Sequence, residues 1–307
     1  MKYLEIRSYG KINFTLDIKN RRSDGYHNIE SIIQTIDIYD TLKVTKIDNG
    51  IQIVSDHHYL PLDKRNLIYK AYRELSLYTE KILGAQVEIQ KHIPISAGLG
   101  GGSSNAATML IALNKLYDLN LTKEELAHIA ENIGMDVIFF IYGGLKYIHG
   151  KGEKIEELGA LPFDIWIVIA KPPVGISTVW AYNRFDILKE KERKDYTKCA
   201  LKSLREKNLK RFFRCLGNDF THLLEETYPE ILKLKKEFYM QDLKYVNISG
   251  SGPTIFGIVE SREKGDRIVK RLREMGYFAQ ITKPIPYSFE ITREGVLTYE
   301  DTYRIGV

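Results

Sequence analysis

Residues 94 to 107 read PISAGLGGGSSNAA, with four glycines in the five positions 98–102 and two serines directly after them. No other stretch restricts the fold and the chemistry as much. Upstream, AQVEIQKHI (85–93) alternates as a strand does; downstream, AATMLIALNKLY (106–117) is apolar at helical spacing. A strand, a glycine loop and a helix N-terminus bring unpaired backbone N–H groups and the positive end of the helix dipole to one point. That arrangement receives an anion, and phosphate is the first expectation. Each glycine inside a helix costs about 1 kcal/mol against alanine. A loop that only turns the chain has no need of Gly100, Gly101 and Gly102 in succession, so a ligand close to bare backbone is expected.

Spacing excludes two common phosphate loops. A Walker A loop needs a lysine after its last glycine, and here the glycines run into Ser103 and Ser104. A dinucleotide fingerprint needs G-x-G-x-x-G with an acidic residue about twenty positions on. Gly98 and Gly100 fill two of its positions, but Ser103 takes the third, and LYDLNLT (116–122) reads as a helix end and turn.

A chain of 307 residues holds one large domain or two ordinary ones. No apolar run approaches the roughly 20 residues of a membrane span. The first residues, MKYLEIRSYGKINFTLDI, alternate instead of forming the apolar block of a signal peptide. Cys199 and Cys215 are expected as reduced thiols, and the cytoplasm as the location. The formal net charge is +5, and much of it lies in residues 189–214, with 11 Lys/Arg against 4 Asp/Glu. That run has no recognition motif and few interleaved aromatics, so it reads as solvated helix faces. Neither a nucleic acid nor a membrane is expected as partner; anionic small substrates suit the mild positive charge.

The first ninety residues read mainly as strands: 2–8, 12–18, 29–38, 41–47 and 51–54, with a helix at 65–82 before the strand at 85–93. LTKEELAHIAENIG carries a capping box, Thr122 with Glu125, and ends on Gly134. Strands follow near 144–149 and 153–157. From 163–170 a second half begins, with several helices between 178 and 240, strands at 243–248 and 254–260, a helix at 262–275 and a strand at 277–282. Strands do not alternate regularly with helices, so the class is α+β with mixed or antiparallel sheets, divided as 1–158 and 159–307. The tail, 287–307, reads as an extra hairpin.

PISAGLGGGSSNAA resembles the second motif of the GHMP kinases, P-x-x-x-G-L-G-S/G-S-[SA]-A, which wraps the phosphates of ATP. GKIN (10–13) resembles the family's first motif, and ISGSGPTIFGIV (248–259) its third. RRSDGYHNIESIIQTIDIYDTL (21–42) is similar to the members that phosphorylate an erythritol hydroxyl on a CDP-linked substrate. The resemblance runs to about Lys283 and implies a two-domain kinase with its active site between the domains, ATP as cosubstrate and Mg²⁺. It implies that Pro94, Ile95, Ser96, Ala97, Gly98, Leu99, Gly100, Gly101, Gly102, Ser103 and Ser104 bind ATP.

Phosphoryl transfer also needs a place for the acceptor's proton. Asp136, in ENIGMDVIFF, is by position either a turn carboxylate or a rigidly held base; the resemblance implies the general base. Lys11, by position alone a solvated strand residue, is implied by the resemblance as the stabiliser of the alkoxide, with Asn13 adding a hydrogen bond. Tyr26 is expected to stack on the cytosine, His27 to bond its polar edge and Tyr182 to cover the opposite face. The chain departs from the family at Tyr9 and Gly10, where proline and alanine are usual, and at Met135 and Ile138, which flank the aspartate motif. Other expectations to be tested are a homoserine or mevalonate acceptor, or an RNA-binding module of related N-terminal fold.

Overall fold

The computed structural model describes residues 1–188 and 195–296. Strands β1 (Lys2–Arg21) and β2 (His27–Lys46) are each 20 residues long and pair antiparallel. The sequence reading divided each of them in two. The chain absorbs its irregular residues as bulges instead, with register shifts between Tyr9 and Gly10 and between Asn13 and Thr15. At the first bulge the Lys11 amide donates to the Leu99 carbonyl at 2.9 Å, so an irregularity in β1 docks the glycine loop.

The first half continues with β3 (Gly50–Ser55), α1 (Leu67–Thr79), β4 (Gly84–Gln90), α2 (Gly101–Leu116), α3 (Lys123–Glu131), α4 (Met135–Tyr142), β5 (Leu145–Gly150) and β6 (Lys154–Glu157). The Thr122–Glu125 capping box starts α3. Sequence reading stopped at Gly134, because MDVIFFIY is apolar nearly all round and offers no stripe to detect. The chain starts α4 there, with Asp136 in its first turn. Ile138, one turn in and buried, fills a core position.

The rest of the described chain runs β7 (Trp166–Lys171), α5 (Thr178–Asp186), α6 (Tyr196–Arg205), α7 (Leu209–Arg214), β8 (Gly217–Asn218), α8 (Thr221–Thr227), α9 (Pro229–Met240), β9 (Val246–Ile248), β10 (Ile255–Val259), α10 (Arg262–Glu274), β11 (Phe278–Thr282) and β12 (Phe289–Val296). The first sheet runs β12-β1-β2-β4-β3, with β5 on β2, β6 on β5 and β8 on β1; β3–β4 and β1–β8 are parallel pairs. The second sheet, β11-β7-β10-β9, is antiparallel throughout. One core lies between the first sheet and α1–α4, another under α5 and α8–α10. A third joins the halves: Phe14 of β1 meets Phe212 of α7 and Phe256 of β10 edge-on, at 5.3 and 6.1 Å between ring centroids. Among the described residues no helix is long and apolar enough to cross a membrane.

Two expectations are corrected. The tail does not add to the second half: β12 pairs antiparallel with β1, extending the first sheet, and residues 297–307 lie outside the described residues. Cys199 and Cys215 are not two free thiols but a disulfide, because α6 and α7 fold back on each other and bring their Cα atoms to 5.6 Å. The described part of the basic run forms these same two helices, burying Phe212 and Phe213 while Lys198, Lys202, Arg205 and Lys210 face solvent. Residues 189–194 of that run lie outside the described residues.

Candidate active site

Lys11 points from β1 into the seam between the halves, with its side chain only 4% exposed. Its ammonium donates to Asn13 Oδ1 at 2.6 Å and stands 3.7 Å from Asp136 Oδ2. Asn13 Nδ2 in turn donates to Ser31 Oγ at 2.8 Å, and Ser31 donates to the Thr15 carbonyl. Both ends of the Asn13 amide are therefore occupied. Asn13 fixes the lysine and does not present itself to a ligand. Asp136, by contrast, is 49% exposed at the start of α4.

Ser249 links all three motif regions. Its hydroxyl accepts from the Asn13 amide at 3.3 Å and donates to the Gly98 carbonyl at 2.9 Å. Next to it, a Cβ on Gly250 would stand 3.2 Å from the Lys11 ammonium, so the third motif's turn closes directly over the lysine. Ser249 lies within the third motif, but nothing local shows that it meets Asn13 236 residues away, and nothing local marks Ser31, whose partner Asn13 lies 18 residues away.

The glycines divide by what surrounds them. Gly98 and Gly100 have φ of +76° and +71°, where side chains are strained. A Cβ on Gly98 would come 2.1 Å from the Ser249 carbonyl oxygen, and one on Gly100 2.7 Å from the Phe140 ring. A Cβ on Gly101 would meet Ile93 at 2.9 Å. Packing thus accounts for Gly100 and Gly101, contrary to the expectation that only a ligand requires three glycines in a row. Gly102 differs: it is exposed, and the nearest atom to a Cβ there is 3.8 Å away. The side chains of Ala97, Leu99 and Ser104 are buried, with Ser104 Oγ 2.7 Å from Ser8 Oγ; the Ser104 amide also donates to the Gly100 carbonyl at 2.8 Å, so Ala97 and Leu99 could meet a phosphate by backbone alone and Ser104 offers neither group. Ser96 is exposed, and Pro94, Ile95 and Ser103 are half-buried. Helix α2 begins at Gly100 with no side-chain cap, which leaves its first N–H groups to a ligand.

Arg22, Asp24 and Gly25 build the turn between β1 and β2. Asp24 accepts from the Tyr26 amide at 3.1 Å and from Arg22 Nε, at 3.2 Å to Oδ1 and 3.0 Å to Oδ2. The turn sends its next two side chains opposite ways. Tyr26 is 53% exposed, with the Lys151 ammonium 5.6 Å from its ring centroid. His27 is buried, stacks on Tyr182 at 5.1 Å and 22°, and its Nε2 lies 2.7 Å from Asp186 Oδ1. A carboxylate only accepts, so Nε2 carries the proton and Nδ1 is left for other contacts. Tyr182 therefore gives one face to His27, and it packs against Phe220 in a T-shaped pair with ring centroids 4.9 Å apart. Burial, reinforced by the charges of Asp136 and Asp219, pushes its hydroxyl above the ordinary tyrosine range and keeps it a donor.

Among the described residues no three His, Cys, Asp or Glu side chains group as a metal cage. Magnesium commonly keeps its waters and takes one or two carboxylates plus substrate phosphates. The exposed oxygens of Asp136 fit an ion brought with a nucleotide better than a resident one.

The sequence pattern of the GHMP kinases N terminal domain matches residues 66–144, and that of the GHMP kinases C terminal domain matches residues 200–277. The chain belongs to the GHMP kinase family. It is an ATP-dependent small-molecule kinase. A Bacillus velezensis protein named 4-diphosphocytidyl-2-C-methyl-D-erythritol kinase is 38% identical over 274 residues, covering 89% of this chain and 93% of that one. A Listeria monocytogenes serotype 4a protein of the same name is 37% identical over 287 residues, 93% of this chain and 97% of the other. The crystal structure of a 4-(cytidine 5'-diphospho)-2C-methyl-D-erythritol kinase superposes with a TM-score of 0.73 at 28% identity, covering 92% of this chain and all 100% of the other. A homoserine kinase from Cytophaga hutchinsonii superposes at 0.75 with 17% identity, over 94% of this chain and 97% of that one, which speaks for the shared fold alone.

Proposed function

We propose that this GHMP kinase transfers the γ-phosphoryl group of ATP to a hydroxyl on the erythritol part of 4-diphosphocytidyl-2-C-methyl-D-erythritol, a step toward isoprenoid precursors. The observation that carries the reaction type is the Lys11–Asp136 pair beside the uncapped N-terminus of α2. The acceptor follows from the relatives' names and from the exposed Tyr26 beside the His27–Tyr182 stack.

In this reading the loop of residues 94–104 holds ATP's phosphates through backbone N–H groups, and Gly102 is where the phosphate lies nearest. Asp136 takes the proton of the acceptor hydroxyl as its oxygen bonds to the γ-phosphorus and the bond to the ADP oxygen breaks. Lys11 stabilises the alkoxide as it forms, its direction fixed by Asn13 and the turn at Gly250. The Asp136 carboxylate and the Ser103 hydroxyl would be the protein oxygens open to a magnesium ion bound with ATP, which would supply neutralisation of phosphate charge. Tyr26 supplies a flat face for the cytosine. Residues 1–158, with β12 paired onto their sheet, act as the ATP-binding half and residues 159–288 as its partner, in the cytoplasm.

An assay coupled to ADP release, run with the CDP-linked methylerythritol, homoserine and mevalonate in parallel, tests the acceptor. Turnover is expected with the first alone. Comparable turnover with either of the others overturns the assignment.

A further inference from the structure

We infer that Asp40, which does not belong to the reacting groups, is a positioning residue that holds the glycine loop in register for the nucleotide. The inference rests on the loop of residues 94–104 being the seat of ATP's phosphates. Asp40 lies on β2 opposite Ser8 of β1, and its side chain is wholly buried. Its Oδ1 accepts from the His92 and Ile93 amides, both at 2.8 Å. Its Oδ2 accepts from Asn105 Nδ2 at 3.0 Å and from the buried Lys91 ammonium. Three of these donors sit on the segment that enters the glycine loop, and the fourth sits on the helix that leaves it. One carboxylate therefore grips both ends of the loop.

The strand ladder explains why a side chain is needed there. Pairing of β2 with β4 ends at Thr41 and Gln90, so the amides of residues 92 and 93 have lost their strand partner. Asp40 replaces the ladder with charge-assisted bonds, which are shorter and stronger than neutral ones. The Lys91 ammonium stands 3.2 Å from where a Cβ on Gly101 would lie, so the ion pair presses on the first residue of α2. Asn105 has no other engagement: among the described residues its Oδ1 has no hydrogen-bond partner, and its amide nitrogen serves Asp40. A shift of this carboxylate moves the loop's entrance and the helix N-terminus relative to each other. That relation fixes where the backbone N–H groups meet a phosphate.

The test uses the full chain, with steady-state kinetics against ATP and the acceptor separately and with thermal unfolding. Asp40→Asn keeps the shape and one acceptor but sets an amide NH₂ against Lys91 and Asn105. It is expected to raise the KM for ATP about tenfold or more, with the acceptor KM and kcat within about threefold. Should that variant not fold, Asn105→Ala removes only the tether to α2. It is expected to raise the KM for ATP about three- to tenfold, with an unfolding temperature within about 4 °C of wild type. An unchanged KM for ATP in a folded variant, or equal rises for both substrates, overturns the role. Gly102→Val, run beside them, separates the two readings. If it also leaves the KM for ATP unchanged, the loop is not the phosphate seat; if it alone raises that KM, only the role of Asp40 falls.

Discussion

The Lys11 ammonium stands 3.7 Å from Asp136 Oδ2, joining a lysine side chain 4% exposed to an aspartate 49% exposed. The cation is fixed from behind by Asn13 and the anion is open in front, so under the proposed mechanism the acceptor hydroxyl would meet the carboxylate first and the ammonium second. Asp136→Asn keeps the volume and the start of α4 while removing the base. A fall in kcat of roughly 10²–10⁴ is expected, with little change in ATP affinity. Pre-steady-state and steady-state rates at saturating ATP check this; near-normal turnover removes Asp136 from the mechanism.

Gly101 and Gly102 are neighbours with different surroundings, and substitution should separate them. A methyl group on Gly101 meets Ile93 at 2.9 Å, so Gly101→Ala should lower the unfolding temperature before it affects ligands. Gly102→Val adds a branched side chain over open space, at a position where the fold tolerates it. Its unfolding temperature should match wild type while the KM for ATP rises at least about tenfold. If calorimetry and kinetics give the opposite ordering, phosphate does not approach at Gly102.

Lys11, Asp136 and the glycine loop were legible because short local motifs carry them. The residues that align them were not. Ser31 and Asp40, both on β2, act through partners 16 to 18 and 51 to 65 residues away, and a buried serine or aspartate in a strand leaves no periodic trace. The long β1 was read as two strands because Gly10 looks like a break, whereas the bulge there is how Lys11 reaches the Leu99 carbonyl. The disulfide and the placement of β12 depend on which elements fold back on which, and composition is silent on that.

Tyr9 stands where the family usually has proline, and the C-terminal strand explains it. Its amide donates to the Ser288 carbonyl and its hydroxyl to Glu290 Oε2, both at 2.9 Å. Burial first, and the bond to Glu290 second, pushes the Tyr9 hydroxyl above the ordinary tyrosine range. The folded pKa is raised, so this stabilisation is fully present below the unfolded value of about 10 and is lost as pH climbs past it. Tyr9→Phe should cost about 1 kcal/mol at neutral pH and should flatten the alkaline loss of stability. Tyr9→Pro, which also deletes the amide donor, should cost more. Urea midpoints across pH 7 to roughly 11 check both; identical alkaline profiles for wild type and Tyr9→Phe would refute the account.

The Cys199–Cys215 bond closes a loop with a sequence separation of 16 residues. In the chain-entropy account a loop of that size is worth about 3 kcal/mol. Reductant should therefore lower the urea midpoint of wild type, and Cys199→Ser should show the lower midpoint with or without reductant. Two titratable thiols in the oxidised protein would contradict the cross-link.

Selectivity for the base is the sharpest test of the acceptor assignment, because the turn of residues 22–26 separates two adjacent aromatic side chains. Tyr26 offers an open ring, so Tyr26→Ala should remove a stack worth ~1–3 kcal/mol, about ten- to a hundredfold in affinity for the CDP-linked substrate. His27 is engaged already, by Tyr182 on its face and Asp186 at Nε2, so His27→Ala loosens Tyr182 and, in the proposed reading, also removes a contact to the base. It should therefore weaken the CDP-linked substrate as well. An analogue lacking the base should hardly register Tyr26→Ala. ATP affinity should hold in both variants, because in the proposed reading the glycine loop seats ATP separately. Equal losses for the full substrate and the base-free analogue would make Tyr26 a scaffold residue. No loss for either would return homoserine or mevalonate as acceptors, for neither has a base to stack.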